Sequence, residues 1–199
     1  MKEKILGVVF ILVLGGLSAG LLSSVDNRLR GKIAENKEVA IKSSIMAAAG
    51  LEVPQGVEEV KNAFTENIVV KKAGEYSYYT GPGGIYLFEM KGPGLWGSIE
   101  GVLALMPDLE TIKSVKIISQ EETPGLGGRI GEEDFLKKFE GKSIAPRINI
   151  VAMKKAVASN EVDAISGATM SSKALENIIN AGAEAFRSNV NIEDENDGS

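Results

Sequence analysis

The sequence predicts an α+β fold: an antiparallel sheet flanked by helices and preceded by one transmembrane helix. Three observations support this prediction. An uncharged apolar run opens the chain, short β-like runs separated by Gly and Pro occupy its middle, and an amphipathic helical pattern lies near its C-terminal end. With 199 residues and an apolar fraction of 44%, the chain has the size and composition of one folded domain with accessory segments.

The first element is the apolar segment 5–25, which carries no charge and follows a short cytoplasmic N-terminus, residues 1–4. At a rise of about 1.5 Å per residue, the segment is long enough to cross a hydrocarbon core of about 30 Å. A cleaved secretory signal is the alternative, because Lys2 and Lys4 precede the run and small residues at 18–20 offer a cleavage site. We favour an anchor, since the run exceeds the roughly 7 to 15 residues of a signal core.

The second element is a helix over 33–49, which leads from the membrane into a domain that spans 26–188. Its spacing places five apolar residues near one stripe, and Gly50 supplies a C-terminal stop; the five are Ile33, Val39, Ala40, Ile45 and Met46.

The middle of the chain predicts the antiparallel sheet. Gly and Pro separate the β-like runs, as in a sheet built from hairpins. The predicted strands cover 67–70, 84–90, 99–106, 114–119 and 148–153, and a short helix is predicted over 133–139.

The last helix is predicted over 172–188. Its apolar residues share one face, whereas three polar residues lie away from that face; the apolar set is Leu175, Ile178, Ile179 and Phe186, and the polar set is Glu176, Asn177 and Glu184. The acidic tail 189–199 has no apolar core, so we expect it to be disordered.

Missing residue types restrict the chemistry. The chain has no Cys, which excludes disulfides, iron–sulfur ligation and thiol nucleophiles, and no His, which excludes the Ser-His-Asp arrangement and almost all zinc chemistry. Any redox role therefore requires a bound organic cofactor. The net charge of -5 is mild, so nucleic acid is not an expected partner, and no motif indicates a metal site.

The sharpest local feature is the small, polar run 163–172, Asp-Ala-Ile-Ser-Gly-Ala-Thr-Met-Ser-Ser, which lies just before the last helix. Gly167 allows the backbone to approach a bulky ligand, and the first turn of a helix presents unpaired N–H groups with a positive dipole end. The run therefore predicts a phosphate site. The alternative is an ordinary helix cap formed by Ser171 or Ser172.

Asp163, Ser166, Gly167, Ala168 and Thr169 resemble the acceptor motif of FMN-binding domains that a flavin transferase modifies. The family is that of the G subunit of the Rnf complex and the C subunit of the sodium-pumping NADH:quinone oxidoreductase. Two further stretches resemble the same group, in the same order along the chain: Gly-Pro-Gly-Leu-Trp-Gly at 92–97 and Glu-Glu-Thr-Pro-Gly-Leu-Gly at 121–127.

The resemblance implies that Thr169 carries FMN through a phosphoester. The transferase, itself dependent on Mg²⁺, would take FAD and release AMP. The resemblance further implies an electron carrier with no catalytic residue of its own, and a cofactor site built from fourteen other residues: Leu95, Trp96, Glu122, Thr123, Pro124, Gly125, Leu126, Gly127, Asp163, Ser166, Gly167, Ala168, Met170 and Ser171.

Several of these residues have a second interpretation. Pro124 and Gly125 favour a tight turn, which is either a wall of the flavin pocket or a simple hairpin turn. Trp96, the only tryptophan, either stacks on the flavin or packs in the core. Glu122 either bonds the ring or the ribityl chain or is an exposed loop acid. Arg129 either stabilises a reduced flavin or is simply solvated.

The functional expectation is an electron-transfer subunit of a membrane ion-translocating oxidoreductase of the Rnf type. Its expected partners are the other membrane subunits of the pump, the flavin transferase and the membrane itself. The resemblance, rather than the nearly balanced flanking charges, places the domain outside the cytoplasm. The alternatives are the C subunit of the quinone reductase, a free-standing extracellular flavoprotein, and a membrane-tethered interaction module without a cofactor.

Overall fold

The structure is a computed structural model that describes residues 2–153 and 155–190. The chain divides into two compact units, Met1–Val39 and Ala40–Ser199. Helix α1, Lys2–Ala49, contributes residues to both units. The predicted span 5–25 and the predicted leading helix 33–49 are thus parts of one continuous helix, and no break separates them.

The first unit consists of the N-terminal part of α1. This helix is long and apolar enough to cross a membrane, and no residue in its most apolar 18-residue stretch is buried. Ile33 is also exposed, so the predicted apolar stripe reaches the protein core only at its C-terminal end. Gly50 ends the helix as predicted: its φ is +83°, and the Leu51 N–H donates to the Met46 carbonyl at 3.0 Å, a Schellman-type stop.

The second unit is built on a five-stranded antiparallel sheet in the order β1-β2-β3-β4-β5. The strands are β1 Val69–Ala73, β2 Tyr76–Gly81, β3 Ile85–Pro93, β4 Ser98–Leu105 and β5 Ile112–Ser119. Helix α2, Val57–Asn67, precedes the sheet, and a 3-10 turn, Pro82–Gly84, joins β2 to β3. After β5 come a 3-10 turn Gly127–Gly131, helix α3 Glu133–Leu136, a 3-10 turn Lys137–Phe139, strands β6 Asn149–Val151 and β7 Glu161–Asp163, and helix α4 Thr169–Asn189.

Side chains alternate along β3 and β4, so each strand contributes residues to both faces of the sheet. Both faces are buried, each in a core of its own. Phe88 and Leu103 lie in the larger core, which α4 covers, and the Phe88 ring stacks on Phe186 with centroids 4.6 Å apart. Leu87 and Val102 lie in the core of the opposite face, together with the last turns of α1 and with α2. The predicted α+β fold, with helices flanking an antiparallel sheet, is confirmed.

Several predicted elements need correction. Residue 67 ends α2 rather than opening a strand, and α2, β2 and β7 were not predicted. Of the strand predicted over 148–153, only 149–151 form a strand, β6, which pairs with β7 in a separate parallel two-stranded sheet. Helix α4 begins at Thr169, three residues earlier than predicted.

The last helix keeps its predicted apolar face, since Leu175, Ile178, Ile179 and Phe186 are all buried. Glu176 does not point away, however: its side chain is only 14% exposed, and it accepts a hydrogen bond from the Ile150 N–H of β6. At the C-terminal end, Asn189 is helical and Val190 is buried, so neither belongs to a disordered tail. The rest of the predicted tail, 191–199, lies outside the described residues.

Candidate functional site

The three sequence motifs meet at one cleft of about 320 Å³. They approach from the tip of the β3–β4 hairpin, from the segment that follows β5, and from the loop that opens α4. Every residue that lines the cleft is among those predicted for the cofactor site: Leu95, Trp96, Glu122, Thr123, Leu126, Gly127, Gly167, Ala168, Thr169, Met170 and Ser171.

The hairpin tip presents two apolar side chains beside the cleft. The Gly94 N–H donates to the Gly97 carbonyl at 2.7 Å, which closes the tip and turns Leu95 and Trp96 outward. Trp96 is 72% exposed, so the alternative of a core tryptophan is wrong. A Cβ on Gly94 would collide with Glu122 Oε1, and the tip therefore approaches the neighbouring segment more closely than any other residue allows.

Glu122 ties the three segments together. It is only 4% exposed, and Oε1 accepts hydrogen bonds from the backbone N–H groups of Leu95 at 2.7 Å and Trp96 at 3.1 Å. Oε2 accepts a hydrogen bond from the Ser171 hydroxyl at 2.5 Å. The alternative of an exposed loop acid is therefore wrong, and both carboxylate oxygens are already used by the protein.

These hydrogen bonds set the charge of the Glu122 side chain. Burial alone raises the pKa of this carboxyl, but the bonds from Ser171, Trp96 and Leu95 together lower it more, and the net pKa lies below the usual range. Glu122 is thus a carboxylate at neutral pH.

Pro124 and Gly125 form the predicted tight turn. Gly125 has a φ of +74°, and the Leu126 N–H donates to the Thr123 carbonyl at 3.1 Å. The turn leads into a 3-10 turn rather than into a second strand, so it is not a hairpin turn. Its flanking residues Thr123 and Leu126 line the cleft, whereas Pro124 and Gly125 are exposed outside the lining.

Thr169 is the first residue of α4, and its side chain lines the cleft. Gly167, with a φ of +80°, reverses the chain just before the helix. The Ser172 hydroxyl accepts from the Ile165 N–H at 3.2 Å and donates to the Ala168 carbonyl at 2.9 Å, and Ser171 bonds Glu122. The predicted alternative, a serine cap, is therefore wrong. Within the described part of the chain, the first N–H groups of the helix have no side-chain cap and lie at the cleft.

Four predicted residues lie outside the cleft lining. Besides Pro124 and Gly125, these are Ser166, which is exposed, and Asp163, whose Oδ1 accepts a hydrogen bond from the Ala156 N–H at 2.6 Å. Asp163 thus holds the loop between β6 and β7. Arg129 is exposed and forms an ion pair with Glu132 at 3.3 Å, outside the lining residues.

The cleft combines two chemical characters. Leu95, Trp96, Leu126 and Met170 are exposed apolar residues around its rim, an unusual grouping on a protein surface and one suited to a flat aromatic ligand. At its base, the start of α4 offers backbone N–H groups and a positive dipole end, which suit a phosphate. The residues present therefore fit an aromatic ring that carries a phosphate.

Residues 94–184 match the family described as the FMN-binding domain. Among similar proteins, the C subunit of the Na(+)-translocating NADH-quinone reductase is 41% identical over 93 residues in Haemophilus ducreyi and 39% identical over 98 residues in Neisseria meningitidis. These matches cover 44% and 47% of this chain but only 36% and 38% of those proteins. The chain therefore spans little more than a third of the length of these relatives.

A longer match is the G subunit of the ion-translocating oxidoreductase complex of Methanosarcina acetivorans, which is 26% identical over 92% of this chain and 94% of its own length. Two crystal structures share the fold. NqrC of Shewanella oneidensis has a TM-score of 0.65 at 21% identity and covers 78% of this chain and 96% of its own. The C subunit of the Na(+)-translocating NADH-quinone reductase of Parabacteroides distasonis has a TM-score of 0.67 at 23% identity, with 80% and 95% covered.

The FMN-binding domain match extends from the tip of the β3–β4 hairpin into α4 and contains every residue of the cleft. The resemblance predicted from the three motifs is confirmed: residues 94–184 match the FMN-binding domain, and the chain is similar to the C subunit of the Na(+)-translocating NADH-quinone reductases and to the G subunit of the ion-translocating oxidoreductase complex.

Proposed function

We propose that this chain carries FMN esterified to the hydroxyl of Thr169 and serves as an electron-carrying subunit of a membrane ion-translocating oxidoreductase. The single observation that carries the proposal is the place of Thr169. It is the first residue of α4, it lines the cleft, and an apolar rim of Leu95, Trp96, Leu126 and Met170 surrounds it.

The attachment would be a phosphoryl transfer from FAD to the Thr169 hydroxyl, catalysed by a separate flavin transferase. A bond forms between Thr169 Oγ1 and the phosphorus that bears riboflavin, the pyrophosphate bond of FAD breaks, AMP leaves, and the hydroxyl proton is released. The attached phosphate would lie beside the first N–H groups of α4, where an anion is stabilised by about 0.3 to 1 kcal/mol. Gly167 leaves room for the modifying enzyme, because it is exposed and carries no side chain.

When bound, FMN supplies reversible electron transfer. The chain's own apolar rim residues would hold the ring. Trp96 and Leu95 project from the hairpin tip on one side, and Leu126 and Met170 project from the other two segments. A covalent linkage makes retention independent of affinity, so a shallow, open cleft suffices and one ring edge can meet a partner.

We infer that the complex is of the Rnf type. The supporting observation is length: the relative that is a G subunit aligns over 94% of its own length, whereas the two relatives that are C subunits align over little more than a third of theirs. The C subunit of a quinone reductase is the second candidate, favoured by the higher identity of 41% across the matched segment. Other membrane subunits would be the electron donor and acceptor in either complex.

We further propose that the apolar part of α1 is a single membrane span and that the FMN domain lies on the extracytoplasmic side. The helix is long and apolar enough for this role. A signal cleaved at the small residues 18–20 would leave the mature protein without the segment that precedes the cut, so N-terminal sequencing of the purified protein distinguishes the two.

Intact-mass analysis tests the central proposal. The full chain is produced together with a flavin transferase, and we expect a mass increase of about 438 Da, the mass of FMN minus one water, with visible absorption that survives denaturation. Thr169→Val should remove both signals. The matched control is Thr123→Val, which changes the other threonine of the cleft and should leave the added mass in place.

Two results would contradict the proposal. The same added mass on the parent and on Thr169→Val would show that the flavin is not attached to this residue. A colourless parent protein would favour the cofactor-free interaction module. A yellow protein that purifies from its native membrane without other subunits would instead favour a free-standing flavoprotein.

A further inference from the structure

Glu122 is the one charged residue among the described residues that line the cleft at Thr169. Its carboxylate is buried and accepts hydrogen bonds from the Leu95 and Trp96 N–H groups and from the Ser171 hydroxyl. All three donors are electrically neutral. They therefore fix the position of the carboxylate but leave its negative charge uncompensated.

No cation compensates this charge within the part of the chain that the structure describes. No Lys or Arg side chain there forms an ion pair with Glu122. Arg129, the arginine closest to Glu122 in the sequence, pairs with Glu132 and lies outside the cleft lining. Lys91, at the base of the hairpin tip, pairs with Glu100. The described lining of the cleft thus presents one full charge, and that charge is negative.

A fixed negative charge in the wall of the cleft opposes the reduction of a flavin ring. Reduction by two electrons leaves the ring with one negative charge when one proton follows, and neutral when two protons follow. Charge near the ring is one of the means by which a protein sets flavin chemistry, and burial strengthens the effect because little water screens it. The positive end of α4 would lie beside the ester phosphate, which is itself negative.

We propose that the Glu122 carboxylate makes a flavin in this cleft harder to reduce than free FMN, so that the site is a strongly reducing electron carrier. This inference rests on the proposed function, because it requires the flavin to lie in the cleft at Thr169. Glu122 acts through its charge and is not a catalytic residue. If Glu122 only tied the segments together, removal of its charge with the fold preserved would leave the redox equilibrium unchanged.

Redox titration of the full chain tests the proposal. The chain is produced with the flavin transferase, the attached flavin is verified by intact mass, and the protein is equilibrated without oxygen against a dye of known potential, which exchanges the electrons. We expect a lower ratio of reduced to oxidised flavin than for free FMN at the same potential. Glu122→Gln keeps the side-chain volume and one acceptor oxygen, and should raise that ratio about tenfold or more, a two-electron shift of about 30 mV.

Two further variants separate charge from structure. Glu121→Gln removes the same charge from the neighbouring residue, which is exposed and lies outside the cleft lining, and should change the ratio by less than about twofold because water screens it. Thr123→Lys adds a positive charge to the lining while Glu122 stays intact, and Thr123 is exposed enough to accept the longer side chain. This variant should raise the ratio in the same direction as Glu122→Gln, and it decides the matter if Glu122→Gln does not fold.

The mass measurement distinguishes failure of this inference from failure of the proposed function. A parent chain that carries no flavin contradicts both. A chain that carries flavin on Thr169 but has the same redox equilibrium in the parent, Glu122→Gln and Thr123→Lys overturns this inference alone. An attached flavin that is reduced as easily as free FMN, or more easily, also overturns it and leaves the proposed function standing.

Discussion

Glu122 shows how one side chain can fix three segments around a candidate binding site. Its two carboxylate oxygens accept three hydrogen bonds, from the Leu95 and Trp96 backbone and from the Ser171 hydroxyl. The hairpin tip and the start of α4 are thereby fixed on either side of the cleft. Glycine at 94 and 127 leaves room for the carboxylate, since a Cβ at either position would lie within 2.7 Å of a Glu122 oxygen.

Replacing Glu122 should destabilise the protein and loosen the cleft. Glu122→Ala leaves two backbone N–H groups and a hydroxyl without an acceptor, and we expect a loss of about 2 to 4 kcal/mol in the free energy of unfolding. Glu122→Gln keeps one acceptor oxygen and the side-chain volume, and should cost about 1 kcal/mol. Urea unfolding followed by circular dichroism measures both. Equal stability of the alanine variant and the parent would contradict this role.

The stability that Glu122 contributes should depend on pH. Its pKa in the folded protein is lower than in the unfolded chain, where the ordinary value is about 4.5. The contribution is therefore fully present above that pH and is lost as the pH falls through the folded-state pKa. The stability difference between the parent and Glu122→Gln should be constant at neutral pH and should shrink progressively below about pH 4.5. A difference that stays constant as the medium becomes strongly acidic would be inconsistent with the low pKa.

At the scale of elements, helix α4 packs closely against strand β3 at Gly92. A Cβ on Gly92 would lie 2.6 Å from Ile178 Cγ1. Helix α4 therefore packs onto the sheet at a point where β3 presents no side chain, close to the hairpin tip that carries Trp96.

We expect Gly92→Ala to destabilise the protein by about 1 to 3 kcal/mol, because Ile178 must shift and the helix is well packed along its length. Thermal unfolding measures the effect. Gly131→Ala is the matched control: no described atom lies within 4 Å of its added Cβ and its φ is not positive, so the expected change is within about 0.5 kcal/mol. A similar effect of both substitutions would indicate a backbone cause rather than the contact with Ile178.

At the scale of the whole molecule, the last turns of α1 belong to the folded domain. Ile45, Met46 and Ala48 are buried in the core on the α2 side of the sheet, and the Ser114 hydroxyl of β5 donates to the Ala48 carbonyl at 3.0 Å. The N-terminal part of the same helix is exposed and apolar. One helix thus supplies both the candidate membrane span and a part of the core.

Two truncations separate these roles. Removal of residues 1–35 should leave a soluble domain that unfolds cooperatively, because no residue described as buried is lost. Removal of residues 1–50 also deletes Ile45 and Met46, each worth about 2 to 5 kcal/mol as a buried side chain, and should prevent stable folding. Thermal unfolding by circular dichroism compares the two. Cooperative unfolding of the shorter chain at the same midpoint would show that α1 contributes nothing to the core.

Sequence reasoning predicted the long, periodic elements well, because their signals are local. The apolar run, the strands β3 to β5 and the face of α4 all follow from spacing alone. It missed α2, although two acids open the helix and Val60 and Phe64 stand four residues apart on its buried side. It also missed β2, although its Tyr and Thr residues favour a strand, and β7, which is only three residues long and pairs with β6.

The sequence by itself determined the resemblance to FMN-binding domains, the order of the three motifs and the residue types that could surround a flavin, because these are encoded in short contiguous runs. Only the tertiary structure decided which of those residues share a cleft. It placed Trp96 at the surface and Glu122 in the interior, and moved Asp163 to a loop-holding role. The physical reason is that exposure and hydrogen-bond partners depend on residues far away in the chain: Glu122 meets partners 26, 27 and 49 positions away, and no local pattern specifies such contacts.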